Sequence, residues 1–254
     1  MNHPTPPPDD SRESDAQLPA SGQSPAVNNR GLIFDLDGTL VNSLQGITAS
    51  LNRALALSKL PEHPPVTVRE FIGNGSRILI ERATPTDTHS SLVDEIEATF
   101  KADYDVTWSS GTLAYDGIFE VLALLQNRGH PLAVLSNKPH AFTTAMVSRI
   151  FSDTRFACVL GQRPGIAHKP DPAGAMEIAR ELGMPPENFS LIGDSTMDIE
   201  TAKNAGMHAV AVTWGFHDRD RLLAAGADVI IDTPGALAAL FQSREIISRL
   251  DSPR

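Results

Sequence analysis

Hydrophobic and polar residues follow two patterns along the chain. Short apolar runs predict buried strands, and apolar residues at helical spacing predict helices. From Ala114 onward, short apolar runs recur, and each is separated from the next by one segment with helical spacing. Single helices between buried apolar strands are typical of a parallel sheet covered on both faces. Strands are predicted at 131–136, 157–161, 189–193, 208–213 and 228–231, after a first strand that begins at Gly31. The pattern therefore predicts an α/β fold with a doubly wound parallel sheet.

The helices that connect these strands are delimited by glycines. Gly129, Gly183 and Gly206 each follow a segment with helical spacing, where a glycine commonly ends a helix. Helices are predicted at 118–125, 140–151, 171–182, 197–205 and 219–225, with a further helix near the C-terminus.

A second region, between the first strand and Ala114, shows only the helical period. Leu44, Ile47 and Leu51 begin a first helix. A short turn followed by a second helix is predicted within 66–83, and a third helix at 92–104. No strand is evident in this stretch. Residues 44–113 are therefore predicted to form a helical cap domain inserted into an α/β core of residues 30–43 and 114–247.

The first 29 residues have a different composition from the rest. They are rich in Pro, Ser, Asp and Asn and contain few large apolar side chains. Such a segment buries too little surface to offset the entropy of ordering. We expect residues 1–29 to be a disordered tail.

Charge and cysteine content narrow the possible partners and location. The formal net charge is −10 and no cluster of Lys or Arg is present, which argues against nucleic acid and anionic membranes as partners. The single cysteine, Cys158, lies in an apolar run and fits a reducing compartment. No apolar segment approaches the about 20 residues of a membrane span, and no signal pattern is visible at the N-terminus. The expected location is cytoplasmic.

Two carboxylates follow the first apolar strand. Asp35 and Asp37 are two residues apart, so they share one face of an extended chain, and Gly38 ends the run. The carboxyl end of a strand is where open α/β sheets place their ligand crevice. Two neighbouring carboxylates repel each other, so they need a cation, a shared proton or both. The alternative is a strand end followed by acidic loop residues without a function.

Polar residues also follow the later strands. Ser136, with the backbone amides after it, suits a phosphate oxygen, although Ser-Asn is also an ordinary turn. Lys169 lies in a loop stiffened by two prolines, so it is held rather than freely solvated. Asp194 ends an apolar strand, and Asp198 is in the first turn of the next helix, where an acid is also common without a function.

These residues occur in an order that resembles a known superfamily. Four segments are similar to the four signatures of the haloacid-dehalogenase superfamily of phosphohydrolases. They are Phe34-Asp35-Leu36-Asp37-Gly38-Thr39-Leu40, the Ser136-Asn137 strand end, His168-Lys169-Pro170-Asp171-Pro172 and Gly193-Asp194-Ser195-Thr196-Met197-Asp198-Ile199. The resemblance implies a Rossmannoid core with a cap. It also implies a phosphatase that forms an aspartyl-phosphate intermediate.

The resemblance assigns roles to the acids. It implies that Asp35 is the nucleophile and that Asp37 is the general acid and base. Metal ligands would be the Asp35 carboxylate, the Asp37 backbone carbonyl and Asp194. Four acids and a phosphate monoester bring too much negative charge together without a divalent cation, and an all-oxygen ligand set indicates Mg²⁺.

The remaining residues would bind the phosphoryl group or support the site. Ser136 and Lys169 would hold phosphoryl oxygens, with help from the amides of Gly38 and Asn137. Asp198 would hold Lys169 or a metal-bound water. These roles follow from the resemblance alone.

The cap and two core segments resemble the phosphoglycolate phosphatases in particular. The segments are Glu70–Ala83, Asn137-Lys138-Pro139 and Val212–Phe216. If the likeness extends to the substrate, Asn74, Ser76 or Arg77 would reach a substrate carboxylate as the cap closes. The alternative is that 71–77 is only a glycine-containing turn at the start of a helix.

The predicted activity is hydrolysis of a small phosphorylated metabolite, most specifically 2-phosphoglycolate. The alternatives are a phosphosugar mutase, a nucleotide or pyrophosphate phosphatase of the same superfamily, and an inactive phosphate-binding module, because caps choose substrates while cores do not. The sequence leaves open whether the protein is a monomer or a homodimer.

Overall fold

The computed structural model describes Met1 and residues 30–241, so the predictions for 1–29 and for 242–247 lie outside the described residues. The strands are β1 Gly31–Phe34, β2 Val41–Asn42, β3 Leu113–Ala114, β4 Leu132–Pro139, β5 Cys158–Gln162, β6 Phe189–Gly193, β7 His208–Val212 and β8 Val229–Ile231. Six of them form one parallel sheet in the order β5-β4-β1-β6-β7-β8. The predicted fold class is confirmed.

The first strand occupies the middle of this sheet. Ile33 pairs with Ala133 of β4 on one side and with Leu191 of β6 on the other. The later strands then extend outward in both directions from β1. The order therefore reverses at β1, and the carboxyl end of such a strand is where a crevice opens in doubly wound sheets.

Helices cover both faces of the sheet. Leu32 and Phe34 belong to the buried cluster on one face, whereas Ile33 packs with Ile178 and Ile199 on the other. This is the alternation expected for an extended strand buried on both sides. The core helices are α5 Ile118–Asn127, α6 His140–Ile150, α7 Ala173–Glu181, α8 Thr196–Asn204, α9 Arg219–Ala224 and α10 Pro234–Leu240.

The inserted region contains four helices. They are α1 Leu44–Leu57, α2 Pro65–Phe71, α3 Ser76–Ala83 and α4 Ser90–Thr107, followed by a short 3-10 turn at Trp108–Ser110. The sequence predicted a turn and a single helix within 66–83, and this was wrong. Gly73 and Gly75 have φ angles of 120° and 85°, a backbone that glycine adopts readily and that separates α2 from α3.

A two-residue antiparallel ladder joins the cap to the core. Val41 and Asn42 of β2 pair with Ala114 and Leu113 of β3. The expectation that 44–113 contains no strand is therefore corrected at Leu113, because a strand of two residues is too short to show a period. Both chain crossings between cap and core consequently lie side by side.

One hydrophobic cluster runs through cap and core without a break. It includes Leu51, Ile80 and Phe100 of the cap together with Phe34 and Leu122 of the core. The cap is therefore packed onto the core rather than merely attached to it. Among the described residues, none of the helices has the length and apolar content needed to cross a membrane.

Candidate active site

The two acids of the first motif lie just beyond β1. The strand ends at Phe34, earlier than the predicted end at Gly38, although the N–H of Asp35 still donates a 2.9 Å hydrogen bond to the carbonyl of Ile192. The backbone then turns, with Gly38 at a φ of 91°. Asp35 is therefore fixed between neighbouring strands, at the carboxyl end of the sheet.

A cavity between cap and core opens onto this end of the sheet. Its lining includes six of the residues predicted for the site: Asp35, Asp37, Ser136, Asn137, Lys169 and Asp194. The cap contributes apolar and aromatic side chains to the same cavity, among them Ile72, Leu79, Phe100 and Tyr104. Residues from four distant segments of the core thus meet below the cap.

Three carboxylates cluster at this end of the sheet, and two of them, Asp35 and Asp194, line the cavity. One oxygen each from Asp35, Asp194 and Asp198 lies within 4.8 Å of the others, and all three residues are buried. Burial raises the pKa of Asp35 to about 7, against the attraction of Lys169 and with repulsion from Asp198 and Asp37. Burial, together with Asp35 and Asp198, raises the pKa of Asp194 well above its usual value. The positive charge that the protein places near these three carboxylates is too small to neutralise them.

The donor set of the cluster fits a magnesium ion. Oδ1 of Asp35 is buried and makes no directed hydrogen bond, although it lies 2.8 Å from Nζ of Lys169. Asp194 is oriented by two donors, the Thr39 hydroxyl at 2.9 Å and the Phe216 N–H at 2.7 Å. Hard oxygen ligands on a fixed carboxylate are what Mg²⁺ requires in proteins.

Two glycines allow the surrounding backbone to approach Asp194. A Cβ atom at Gly38 would lie 2.2 Å from Oδ2 of Asp194, and one at Gly215 would lie 2.3 Å from its Cβ. Any side chain larger than hydrogen would therefore displace the carboxylate. The glycine of the first motif has a steric role at the site as well as a conformational one.

Lys169 is the cation of the cluster. Its ammonium lies 2.8 Å from Asp35 and 2.6 Å from Asp198, and it also donates to the carbonyl of Leu135 at 3.1 Å. Burial alone would lower the pKa of Lys169, but Asp198 and Asp35 outweigh it and raise this pKa above its usual value. Asp198 is fixed in turn by the N–H and hydroxyl of Ser195. The ammonium is thus charged and held at a defined point.

Ser136 lies where the regular pairing of β4 ends. The ladder between β4 and β5 shifts register after Leu135, and the strand continues to Pro139 rather than ending at 136 as predicted. Oγ of Ser136 accepts a hydrogen bond from the N–H of Lys138 at 3.3 Å and lines the cavity.

The side chain of Asn137 connects three parts of the site. Its Oδ1 accepts from the N–H of Lys169 at 2.8 Å, while its Nδ2 donates to the carbonyl of Lys169 at 3.1 Å and to that of Gly73 in the cap at 2.9 Å. The amide of Gly38 donates to the carbonyl of Val41 at 2.8 Å. Phosphoryl contacts by the backbone amides of Gly38 and Asn137 stay predictions.

The predicted cap residues make contacts of their own. Asn74 donates to Sδ of Met197 in the core at 2.8 Å, and Arg77 pairs with Glu81 at 2.7 Å and with Asp94. Neither is among the cavity-lining residues, whereas Ser76 is. Substrate contact by Asn74 and Arg77 therefore stays a prediction in this conformation of the cap.

Lys138 is a residue of the site to which the sequence analysis gave no role. Its Nζ lies 3.0 and 2.8 Å from the two carboxylate oxygens of Asp37 and 3.1 Å from the hydroxyl of Tyr104 in α4. Only 9% of Lys138 is exposed. The predicted strand ended at residue 136, so the sequence did not indicate that Lys138 would be buried. A buried ammonium requires a partner, and Asp37 supplies it.

Arg69 of the cap closes another side of the site. Its guanidinium donates to the carbonyl of Phe216 at 2.5 Å and to that of Gly215 at 2.9 Å. The same loop supplies the N–H that binds Asp194. A cap side chain thus contacts the segment that orients a carboxylate of the core.

Comparison with known proteins places these observations in a family. Residues 32–212 match the family model of the haloacid dehalogenase-like hydrolases. The chain is 32% identical over 206 residues to the phosphoglycolate phosphatase of Pectobacterium atrosepticum, which covers 80% of this chain and 88% of that protein. It is 35% identical over 191 residues to the phosphoglycolate phosphatase of Mesorhizobium japonicum, with 74% and 84% covered.

The fold is shared with solved structures. A protein from Lactobacillus delbrueckii subsp. bulgaricus, provisionally named phosphoglycolate phosphatase, superposes with a TM-score of 0.80 at 29% identity. The superposition covers 84% of this chain and 98% of that protein.

Proposed function

Because the chain belongs to the haloacid dehalogenase-like hydrolase family, we propose that it is a magnesium-dependent phosphatase acting on a small phosphate monoester. One observation carries this proposal most directly. Asp35, Asp194 and Lys169, which are far apart in sequence, meet within one buried cavity at the carboxyl end of the sheet. Such a group of charges suits a phosphoryl group, for which catalysis is mostly positioning and charge neutralisation.

The proposed mechanism has two steps, and the positions of Asp35 and Asp37 in the cavity support it. A carboxylate oxygen of Asp35 forms a bond to phosphorus while the bond between phosphorus and the leaving oxygen breaks. Asp37 gives its proton to that oxygen. Asp37 then takes a proton from a water molecule that attacks phosphorus, so that the bond to Asp35 breaks and inorganic phosphate is released.

Lys169 and Ser136 act on the phosphoryl oxygens. The ammonium of Lys169 is already 2.8 Å from Asp35, so it neutralises charge next to the attacking atom. The Ser136 hydroxyl lines the same cavity and can donate to a second oxygen. Asp198 keeps Lys169 in place through their 2.6 Å contact.

Magnesium would be held by the carboxylates of Asp35 and Asp194 and by the backbone carbonyl of Asp37. When bound, the ion supplies the positive charge that the buried acids lack and neutralises the phosphoryl group.

The substrate we propose is 2-phosphoglycolate. The support is the name of the relatives in Pectobacterium and Mesorhizobium, together with a cavity lined by both cap and core that suits a small molecule. A phosphosugar mutase of the same family would return the phosphoryl group to a sugar. Release of inorganic phosphate without a sugar bisphosphate therefore separates the two activities.

The test is a phosphate-release assay with Mg²⁺ over phosphorylated small acids, sugars and nucleotides. We expect release from 2-phosphoglycolate that is abolished by chelation of the metal. Asp35→Asn should lower kcat by on the order of a thousand-fold or more, because the nucleophile is removed. The matched control is Asp87→Asn, which removes an exposed acid of the cap and should leave kcat unchanged. Activity that persists in Asp35→Asn, or a wild-type protein inert toward every ester, would overturn the proposal.

A further inference from the structure

Lys138 is a second buried lysine of the site, and the phosphoryl chemistry described above does not use it. Lys169 already occupies the position next to the nucleophile. Lys138 lies instead beside Asp37, with its Nζ within 3.0 Å of both carboxylate oxygens. Asp37 is the residue that protonates the leaving oxygen, so Lys138 lies on the side of the leaving group rather than the phosphoryl group.

The distances place Lys138 near any group attached to the leaving oxygen. A general acid must come within about 2.6–3.2 Å of the atom that it protonates, and Lys138 is a similar distance from that acid. In a phosphorylated 2-hydroxy acid, the carboxylate is attached to the same carbon as the leaving oxygen. The ammonium is therefore within reach of that carboxylate when the ester oxygen faces Asp37.

Tyr104 completes the surroundings of this ammonium. Its hydroxyl lies 3.1 Å from Nζ of Lys138, and its ring centroid lies 4.7 Å from the same atom. A tyrosine hydroxyl that accepts from a lysine can still donate its own proton to a carboxylate. Because Tyr104 is in helix α4 of the cap, the pair exists only when the cap lies against the core.

The other lysine lining the cavity is differently placed. Lys101 forms a 2.7 Å ion pair with Glu97, and its side chain is 42% exposed. Its charge is thus compensated within the cap and screened by solvent. Lys138 is paired as well, with Asp37, but it is buried and lines the same cavity as Phe100 and Phe142. An ammonium removed from water attracts an anion more strongly than an exposed one does.

We propose that Lys138 and Tyr104 form an anion subsite that binds the carboxylate of the leaving group and selects phosphorylated 2-hydroxy acids over esters of neutral alcohols. The inference rests on the proposed phosphatase function and assigns its substrate preference to two named side chains. Lys138 is a specificity residue in this proposal, and its contact with Asp37 is where the subsite meets the general acid.

The experiment compares two esters with the same two-carbon skeleton. We measure kcat/KM with Mg²⁺ for 2-phosphoglycolate and for ethyl phosphate, which has a methyl group in place of the carboxylate. In Lys138→Met the ratio of the two values should fall by about 10- to 100-fold, which is the effect expected for the loss of a charge-assisted contact. The loss should appear mainly as a higher KM for 2-phosphoglycolate.

Two further variants serve as a second test of the subsite and as a control. Tyr104→Phe removes only a hydroxyl and should lower the same ratio by a few-fold. Lys101→Met removes a lysine from the same cavity and should leave the ratio unchanged, since solvent screens the exposed ammonium of Lys101. If Lys138→Met fails to fold, an unchanged ratio in Tyr104→Phe overturns the subsite.

The outcomes separate this inference from the proposed function. Equal losses for both esters in Lys138→Met would show that Lys138 acts only through Asp37, and the subsite would be wrong. A wild-type protein that hydrolyses both esters equally well would also overturn it while leaving the phosphatase activity intact. A wild-type protein that releases phosphate from no ester would instead overturn the proposed function.

Discussion

At the scale of one residue, Asp194 is a buried carboxylate whose negative charge is not neutralised by a neighbouring cation among residues 30–241. The carboxylate is 1% exposed, lies close to Asp35 and Asp198, and is oriented by Thr39 and Phe216. Burial of an ion without a counter-charge is costly. The residue is therefore expected to destabilise the protein when no cation is bound and to stabilise it when one is.

Replacement of Asp194 by asparagine should stabilise the metal-free protein and abolish its stabilisation by magnesium. The amide of Asp194→Asn can still accept from the Phe216 N–H and donate to the Thr39 hydroxyl, while the charge repulsion is gone. Without metal at pH 8, we expect a higher Tm, by about 2–4 °C for each kcal/mol of repulsion removed. With Mg²⁺ the wild-type Tm should rise and that of the variant should not.

The pH dependence of this effect has a defined sign. The pKa of Asp194 is raised in the folded protein, so its charged form costs stability above the unfolded pKa of about 3.9. The advantage of Asp194→Asn should therefore be largest at pH 8 and should diminish as the pH falls toward 4. Thermal melts across this range check it, with Asp87→Asn as control, and a lower Tm for the metal-free variant at pH 8 would contradict it.

At the scale of elements, helix α2 contacts the core through two neighbouring residues of very different surroundings. Arg69 is partly buried and donates to the carbonyls of Gly215 and Phe216. Glu70 pairs with Arg221 at 2.7 Å, but both side chains are about half exposed. Exposed ion pairs contribute little, whereas removal of a donor from enclosed carbonyls costs more.

The two contacts should therefore differ in their effect on catalysis. Arg69→Met is expected to lower kcat/KM by roughly ten-fold or more, because the loop that orients Asp194 loses its contact with the cap. Glu70→Gln should change kcat/KM by less than about three-fold. Steady-state assays of both variants with Mg²⁺ check these two predictions. Equal losses of kcat/KM would show that the exposed Glu70–Arg221 ion pair matters as much as the contact of Arg69 with the loop.

Elements also show how far the sequence alone could lead. The six strands of the sheet and the positions of Asp35 and Asp194 just after β1 and β6 could be predicted, because long apolar runs and their polar ends are local signals. Contacts between cap and core could not, since they depend on how two regions far apart in sequence pack together. Lys138 with Tyr104 is such a contact, and so is Arg69 with the loop at 215–216.

Short elements escaped prediction for a different reason. The β2–β3 ladder involves two residues on each side, and α2 has only seven residues. Both are shorter than the about 11–18 residues over which a hydrophobic period is recognised. Gly73 and Gly75 were visible in the sequence, but whether such glycines begin a helix or separate two helices depends on the backbone angles that they adopt.

At the scale of the whole molecule, the continuous hydrophobic cluster links cap and core. Leu51 and Phe100 of the cap share it with Phe34 and Leu122 of the core. Neither region buries its apolar residues fully without the other. Cap and core are thus expected to depend on each other for stability, although a chain insertion could in principle fold alone.

Thermal unfolding should consequently occur in one cooperative transition. We expect the calorimetric and van't Hoff enthalpies to agree and the transitions followed by circular dichroism and by tryptophan fluorescence to coincide. The two tryptophans, Trp108 at the end of the cap and Trp214 in the core, report on both regions. Two separate transitions would show that cap and core unfold independently.

Strands β2 and β3 carry both chain crossings between cap and core, so we expect the cap to turn about them. Asp37, the proposed general acid, lies beside this pair of strands. Asp37 forms a backbone bridge with Val41, and the N–H of Gly38 donates to the Val41 carbonyl at 2.8 Å. Because β2 is bonded to the loop that carries Asp37, we expect rotation of the cap to move the Asp37 carboxyl group with it. We therefore expect phosphoryl transfer to be timed by closure: until the cap has swung shut, the leaving oxygen has no proton donor in place, and a bound ester keeps its bond.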